Sequence, residues 1–161
     1  MSRIDFVTGA PEKYAHLVDA LSKVPEEINA IIAGKSPSAM KRAPAEGEWS
    51  AHHVLAHMST YAGFQDTFIH QVASMTDPAP VAFNRDAAMD EVISQDSAAL
   101  ARLLEANIAM TVDLLSGTPD AAWGRPGRVR SGRRSLRQIV QAHIAHMEDH
   151  VAQTRAALNP A

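Results

Sequence analysis

Apolar side chains recur at helical spacing along four long segments of this chain, and this periodicity constrains its fold more than any other feature. Residues three and four apart share one side of an α-helix. Such stripes predict helices over residues 11–33, from residue 50 to the prolines at 78 and 80, and over residues 94–115. In the fourth segment the apolar face also carries histidines; it comprises Leu136, Ile139, Val140, Ile144, Met147, Val151 and Leu158 together with His143, His146 and His150. Because no convincing strand-like alternation or internal repeat occurs, we expect an all-α four-helix bundle.

The segments between these stripes carry turn-forming residues. Pro25 predicts a kink in the first helix or a break into two. Residues 35–48, with two prolines and a glycine, predict a connecting loop, and residues 86–93 predict a short helix before the third long one. Residues 120–134 predict a small hairpin or a mobile loop, after which Ser135 caps the last helix.

Composition limits the class of protein. A chain of 161 residues with 46% hydrophobic content can bury a core without disulfides, so we expect one domain over residues 1–161. Cysteine is absent, and a transition metal would therefore need imidazole or carboxylate ligands. The N-terminal residues do not resemble a secretory signal, and no run approaches the roughly 18 apolar residues of a membrane span. A cytoplasmic protein without membrane contact is expected.

Net charge argues against a nucleic-acid partner. The formal charge is -3, which disfavours a general phosphate-binding surface. Six arginines occur between Arg125 and Arg137, interleaved with glycines and beside a single aromatic residue, Trp123. We interpret this run as a solvated arginine-rich loop.

Six of the eight histidines fall in two short helical segments, residues 49–58 and residues 141–153. Residues four apart project to the same side about 6 Å apart, so His146 and His150 form a clamp for one metal ion. His57 lies in the core-facing stripe of the second helix, near His52 and His53. A buried imidazole needs a partner for its ring nitrogens, and a shared metal would provide one for several histidines at once.

Two ligand sets are compatible with this spacing. Three ligands, His57, His146 and His150, would leave a coordination position for water or substrate, as a catalytic metal requires. Four ligands, with His53 added, would saturate a tetrahedral ion and favour a structural role. His53 also has a local reason to occur, because it stands three residues after the N-cap Ser50, at the capping-box position.

Two motifs resemble the DinB/YfiT superfamily of small metal-binding helical proteins. They are Trp49-Ser followed by Val54-Leu-Ala-His57, and His146-x-x-x-His150-Val-Ala-Gln153 in the last helix. The resemblance implies a four-helix bundle of up-down-down-up topology, often dimeric. It implies His57, His146 and His150 as ligands of a divalent ion such as zinc or nickel, with an open position for water, and it leaves His53 outside the site.

The resemblance also implies a class of chemistry, because the superfamily includes bacillithiol S-transferases and mycothiol-dependent enzymes. We expect a metal-dependent thiol S-transferase or hydrolase acting on a small-molecule substrate, with a low-molecular-weight thiol as cosubstrate and a homodimer as the assembly. Tyr61 and Gln65 follow His57 at one-turn intervals and are candidate pocket residues, although Tyr61 could equally pack in the core. His143 either lines the pocket or is a core histidine bonded to a backbone carbonyl.

The competing class is non-enzymatic. In that reading the bundle holds a structural metal or none, and it acts in stress through dimerisation or partner binding. Metal content distinguishes the two classes.

Overall fold

The computed structural model describes residues 11–159, so the N-terminal residues behind the signal-peptide argument lie outside the described part. In chain order, the elements are α1 Glu12–Ile32, α2 Pro37–Lys41, α3 Ala51–Ser74, α4 Arg85–Val92, α5 Ser97–Ser116, α6 Asp120–Trp123, β1 Pro126–Val129, β2 Gly132–Ser135 and α7 Leu136–Leu158. The predicted four-helix bundle is confirmed: its long helices are α1, α3, α5 and α7.

Local sequence explains where these helices begin. Ser50 and Ser135 each accept a hydrogen bond from the backbone three residues on, as predicted, and Gln138 completes a capping box with Ser135. Asn84 and Asp96 cap α4 and α5 in the same way. Each cap satisfies a backbone N–H that would otherwise lack a partner.

Two local predictions need correction. Of the two outcomes predicted at Pro25, a kink or a break, the break does not occur: α1 is continuous and buries Leu21, Val24 and Ile28 on both sides of the proline. Core packing of both turns outweighs the hydrogen bond that proline cannot donate. The predicted loop 35–48 contains α2, where Ser36 caps the helix, a proline occupies the first position and Met40 is buried.

Polar contacts show that α3 and α5 run parallel. Near the start of both helices, His52 Nδ1 lies 2.7 Å from Ser97 Oγ. Further along both, Thr111 Oγ1 donates to Asp66 Oδ1 at 2.7 Å. Because the partners advance together along the two helices, the helices point the same way.

Helix α7 is antiparallel to α3, and α1 is antiparallel to α5, so the packed pair α1 and α7 is again parallel. The rings of His57 and His150 have centroids 4.6 Å apart, and further along α3 Tyr61 lies 6.1 Å from His143, which is earlier in α7. The start of α1 meets the segment after α5 through a 2.9 Å ion pair between Lys13 and Asp120. These directions give the up-down-down-up order.

The hairpin packs across the end of α3 and the start of α7. A Cβ on Gly127 would lie 2.6 Å from Val72 Cγ2, so only glycine allows this approach without a shift. Arg128 and Arg133 both donate to Asp77, at 2.8 and 2.7 Å. Part of the arginine run, interpreted above as solvated, therefore fixes the hairpin to the bundle.

No helix in the part of the chain described here is long and apolar enough to cross a membrane.

Candidate metal centre

The antiparallel packing of α3 and α7 brings His57, His146 and His150 together. The Nε2 atoms of His57 and His150 each lie 3.2 Å from Nε2 of His146. One ring nitrogen from each of the three histidines lies within 4.8 Å of the others. His57 is buried, whereas His146 and His150 are partly exposed.

This geometry fits a cation better than it fits hydrogen bonds. A neutral imidazole nitrogen carries either one proton or one lone pair, so Nε2 of His146 cannot make two good hydrogen bonds to its neighbours. In a tetrahedral site with metal–nitrogen distances of about 2.0–2.1 Å, the nitrogens lie about 3.3 Å apart. The three histidines are therefore a suitable donor set for a divalent ion. Only two helices, α3 and α7, supply them.

The surroundings hold two of these histidines in the neutral form that binds metal. Burial lowers the pKa of His57 to about 4, with further lowering from His150, His146 and Arg85. Burial, followed by His150, also lowers the pKa of His146, while Asp149 acts in the opposite direction. Metal and proton compete for the same lone pair, and a low pKa weakens the competitor.

The Nδ1 atoms of these histidines, which would not bind the ion, differ in their hydrogen bonding. Nδ1 of His150 lies 2.8 Å from Oε1 of Gln153, an interaction that fixes the ring orientation and leaves Nε2 to face the other histidines. Nδ1 of His57 is buried without a hydrogen-bond partner among residues 11–159. Sequence reasoning missed the role of Gln153, although its position three residues after His150, on the same side of a helix, indicates this contact.

An open cleft of about 880 Å³ gives access to the three histidines, and its lining includes Glu48, Trp49, Arg85 and Gln153. The Trp49 ring lies 5.5 Å from the His57 ring, and the Arg85 guanidinium carbon lies 5.2 Å from a Trp49 ring centroid. The cleft volume is within the range of small-molecule sites. Sequence reasoning missed Arg85, because nothing in the sequence indicates that α4 packs against α3.

His52 and His53, the other two histidines of residues 49–58, are separate from this cluster. The side chain of His53 is exposed and stacks beside Trp49 with ring centroids 6.2 Å apart. His52 is buried and faces α5, where its Nδ1 meets Ser97 and its Nε2 lies 2.9 Å from the carbonyl oxygen of Ile93. The structure thus brings three histidines together and keeps His53 apart.

The three candidate pocket residues, Tyr61, Gln65 and His143, line a second cavity of about 460 Å³. His146 lines both this cavity and the metal cleft. His143 is buried, and neither of its ring nitrogens has a hydrogen-bond partner among the described residues, so the expected backbone carbonyl bond is not made. Burial, followed by the nearby His146, lowers the pKa of His143 to about 3.

Fold and site together define a helical bundle with a histidine cluster open to solvent. The chain belongs to the DinB superfamily, whose family model matches residues 20–154. No match was found among curated proteins.

Two solved structures share the fold at low sequence identity. YfiT from Bacillus subtilis, described as a probable metal-dependent hydrolase with an unusual four-helix bundle topology, aligns with a TM-score of 0.83 and 15% identity over 93% of this chain and 88% of its own. A mycothiol-dependent maleylpyruvate isomerase aligns with a TM-score of 0.71 and 14% identity over 86% of this chain. This chain spans 59% of the isomerase's length.

Proposed function

We propose that this chain is a metal-dependent enzyme that transfers a low-molecular-weight thiol to a small electrophilic molecule or hydrolyses such a molecule. The observation that carries the proposal is the convergence of three imidazole nitrogens at an open cleft. The names of the two structural relatives, a probable metal-dependent hydrolase and a mycothiol-dependent isomerase, support the same class of chemistry.

His57, His146 and His150 would hold the ion. A divalent ion bound by three imidazoles lowers the pKa of a thiol or water at its open position and so supplies a nucleophile near neutral pH. We propose zinc or nickel, the ions implied by the DinB/YfiT resemblance. Both suit imidazole ligands.

Residues of this chain would orient the reactants around that position. Gln153 fixes the ring of His150, and the indole of Trp49 forms an apolar wall beside His57. Arg85 adds a positive charge above that indole, where it would attract an anionic group of the thiol or the substrate. Tyr61 and Gln65 lie outside this cleft lining.

Two further features belong to the proposal. A homodimer is the assembly that the family resemblance implies, and the molar mass in solution, measured by light scattering, tests it. The rival function is a non-enzymatic bundle with a structural metal or none. The open cleft at the histidines favours the enzyme over this rival, since a purely structural ion is normally enclosed by protein ligands.

An activity assay tests the enzyme directly. Metal-loaded protein is incubated with mycothiol or bacillithiol and a chloronitrobenzene or ester substrate, and thiol adducts and hydrolysis products are quantified by mass spectrometry. We expect turnover that chelator abolishes, that His146→Ala abolishes and that His53→Ala retains. Activity that is equal in wild type and His146→Ala would contradict the proposal.

Arg85→Ala refines the test. Loss of the cation should raise KM for anionic substrates and leave kcat largely unchanged, because the guanidinium is proposed to attract the substrate and not to react. An unchanged KM for anionic substrates would remove this role.

A further inference from the structure

The second cavity carries a different inference. Its volume is about 460 Å³, and its polar lining comprises the buried or half-buried Tyr61, Gln65, His143 and His146 and the exposed Ser131, Arg134 and Gln138. Apolar walls come from Phe68, Val129 and Ile139. Ligand pockets commonly combine such walls with a small number of convergent polar groups.

Several polar atoms in this lining have no protein partner. His143 is 2% exposed, and both of its ring nitrogens are unpaired among the described residues. Gln65 Oε1 is also buried and unpaired, whereas Gln65 Nε2 donates to the Tyr61 hydroxyl at 2.9 Å. In either orientation of its amide, Gln65 pairs with Tyr61 through one atom and leaves the other without a partner. Buried polar groups are normally satisfied, so these atoms indicate a site for a hydrogen-bonding ligand.

The charge of the lining limits what that ligand can be. No acidic side chain lines the cavity in the described part of the chain, and burial keeps the His143 ring uncharged. A carboxylate or ammonium group at the inner end would lose its hydration without meeting an opposite charge. The only charged lining residue, Arg134, is exposed and lies toward solvent. The inner end therefore suits a neutral group.

The hydrogen-bonding capacity specifies the group further. A neutral imidazole has one donor and one acceptor, Gln65 Oε1 is an acceptor, and the Tyr61 hydroxyl retains its proton as a donor because it accepts from Gln65. The polar groups of Tyr61, Gln65 and His143 thus offer at least two donors and two acceptors. A primary amide offers two N–H donors and a carbonyl oxygen with two lone pairs, which matches this set.

We propose that the second cavity binds an uncharged small molecule bearing a primary amide on an apolar body. The inference rests on the cavity and its buried polar atoms and does not depend on the proposed metal chemistry. It makes Tyr61, Gln65 and His143 a binding site of their own, separated from the metal cleft by His146.

Benzamide is a suitable probe, with acetophenone and benzoate as comparisons of similar shape. Acetophenone keeps the carbonyl but lacks the N–H donors, and benzoate adds a negative charge. Each is titrated into chelator-treated protein and followed by amide chemical shifts in NMR spectra. We expect saturable binding of benzamide with shift changes at residues 61–65 and 143, and binding of the other two probes that is weaker by about tenfold or more, the cost of one or two lost hydrogen bonds.

Variants locate the binding. Gln65→Leu keeps the size of the side chain and removes its amide, and His143→Phe removes both ring nitrogens; each should weaken benzamide binding by about tenfold or more. His16→Phe, at an exposed position of α1, should leave it unchanged. If His143→Phe fails to fold, as judged by its circular dichroism melt, Gln65→Leu still decides the question.

Three results would overturn the inference. The first is the absence of saturable benzamide binding up to its solubility limit, which would mean that the cavity holds water only. The second is equal affinity for acetophenone. The third is shift changes confined to the residues of the metal cleft.

Discussion

At the scale of single residues, the buried histidines of this chain have opposite environments. His52 is buried with both ring nitrogens bonded, to Ser97 and to the carbonyl of Ile93, and it ties α3 to α5. His143 is equally buried with neither nitrogen bonded. His57 is buried with one nitrogen directed at other imidazoles. A satisfied histidine stabilises packing, whereas an unsatisfied one marks a site that needs a ligand.

The burial of His143 predicts how stability depends on pH. Its pKa is lowered from 6.5 to about 3, so between these values the unfolded chain binds a proton that the folded chain does not. The free energy of unfolding of metal-free protein should therefore fall as pH drops below 6.5, with a contribution from this histidine of up to about 1.4 kcal/mol per pH unit.

Urea denaturation with chelator present, between about pH 7.5 and 5, measures this dependence. His143→Leu should reduce the slope of the unfolding free energy with pH by the amount that corresponds to about one bound proton. His16→Leu, which removes an exposed histidine, should leave the slope unchanged. Identical pH slopes for wild type and His143→Leu would contradict the account.

Much of the metal site follows from residue spacing, and the separation of the two cavities does not. His146 and His150 are one turn apart in any helix, and His57 lies in a core-facing stripe, so their grouping needs only that α3 and α7 pack together. The spacing of Tyr61 and Gln65 from His57 predicts that they lie beside the same metal pocket. They do share one side of α3 with His57, but they lie about 6 and 12 Å further along the helix axis, and the sequence does not show that the cleft ends within that distance.

At the scale of elements, Arg125, the residue before the hairpin, caps the C-terminal end of α3. Arg125 donates from Nε to the carbonyl oxygen of Val72 at 3.0 Å and from Nη2 to the carbonyl oxygen of Met75 at 2.6 Å. The last carbonyls of a helix lack partners within the helix and carry partial negative charge, so a cation stabilises them.

Arg125→Ala should lower the free energy of unfolding by about 1.5–3 kcal/mol, the range for hydrogen bonds to a charged group. Arg130→Ala, an exposed position in the same arginine run, should change it by no more than about 0.5 kcal/mol. Urea denaturation of both variants measures the difference, and equal effects would show that Arg125 is not a cap.

Element boundaries were predictable where one residue type determines them. Ser50 and Ser135 are side-chain caps, and both helices begin at the next residue. A break at Pro25 is not observed, because core packing exceeds the cost of an internal proline, and residues 35–48 contain a helix because Pro37 stands at its first position, where proline is favourable. Burial of Met40 and of the α1 stripe is a tertiary effect that the local sequence does not display.

At the scale of the whole molecule, polar side chains set the register of the two parallel central helices. Asp66 is 5% exposed and accepts from Thr111 across the α3–α5 interface. Asn107 donates to the backbone carbonyl of Ser59 at 2.9 Å in the same interface. Parallel neighbours in a bundle need a long connection, and here α4 and its flanking segments provide it.

Thr111→Val keeps the shape of this side chain and removes the hydroxyl donor to the buried carboxylate of Asp66, which keeps only its 3.2 Å contact with His70 Nδ1. The expected loss is about 1.5–3 kcal/mol in the free energy of unfolding, the range for a hydrogen bond to a charged group. Thr67→Val, at an exposed position of α3, is the matched control and should change it by about 0.5 kcal/mol or less. A loss no larger than that of the control would mean that this contact does not stabilise the interface.

The central claim is that His57, His146 and His150 bind a metal ion and that His53 does not. Isothermal titration of chelator-treated protein with zinc or nickel, checked by elemental analysis, measures it directly. We predict one ion per chain for wild type and for His53→Ala, a melting temperature that rises with added metal, and loss of binding in His57→Ala. Absence of metal uptake, with a melting temperature that responds to neither chelator nor added ion, would contradict the claim, as would equal loss in His57→Ala and His53→Ala.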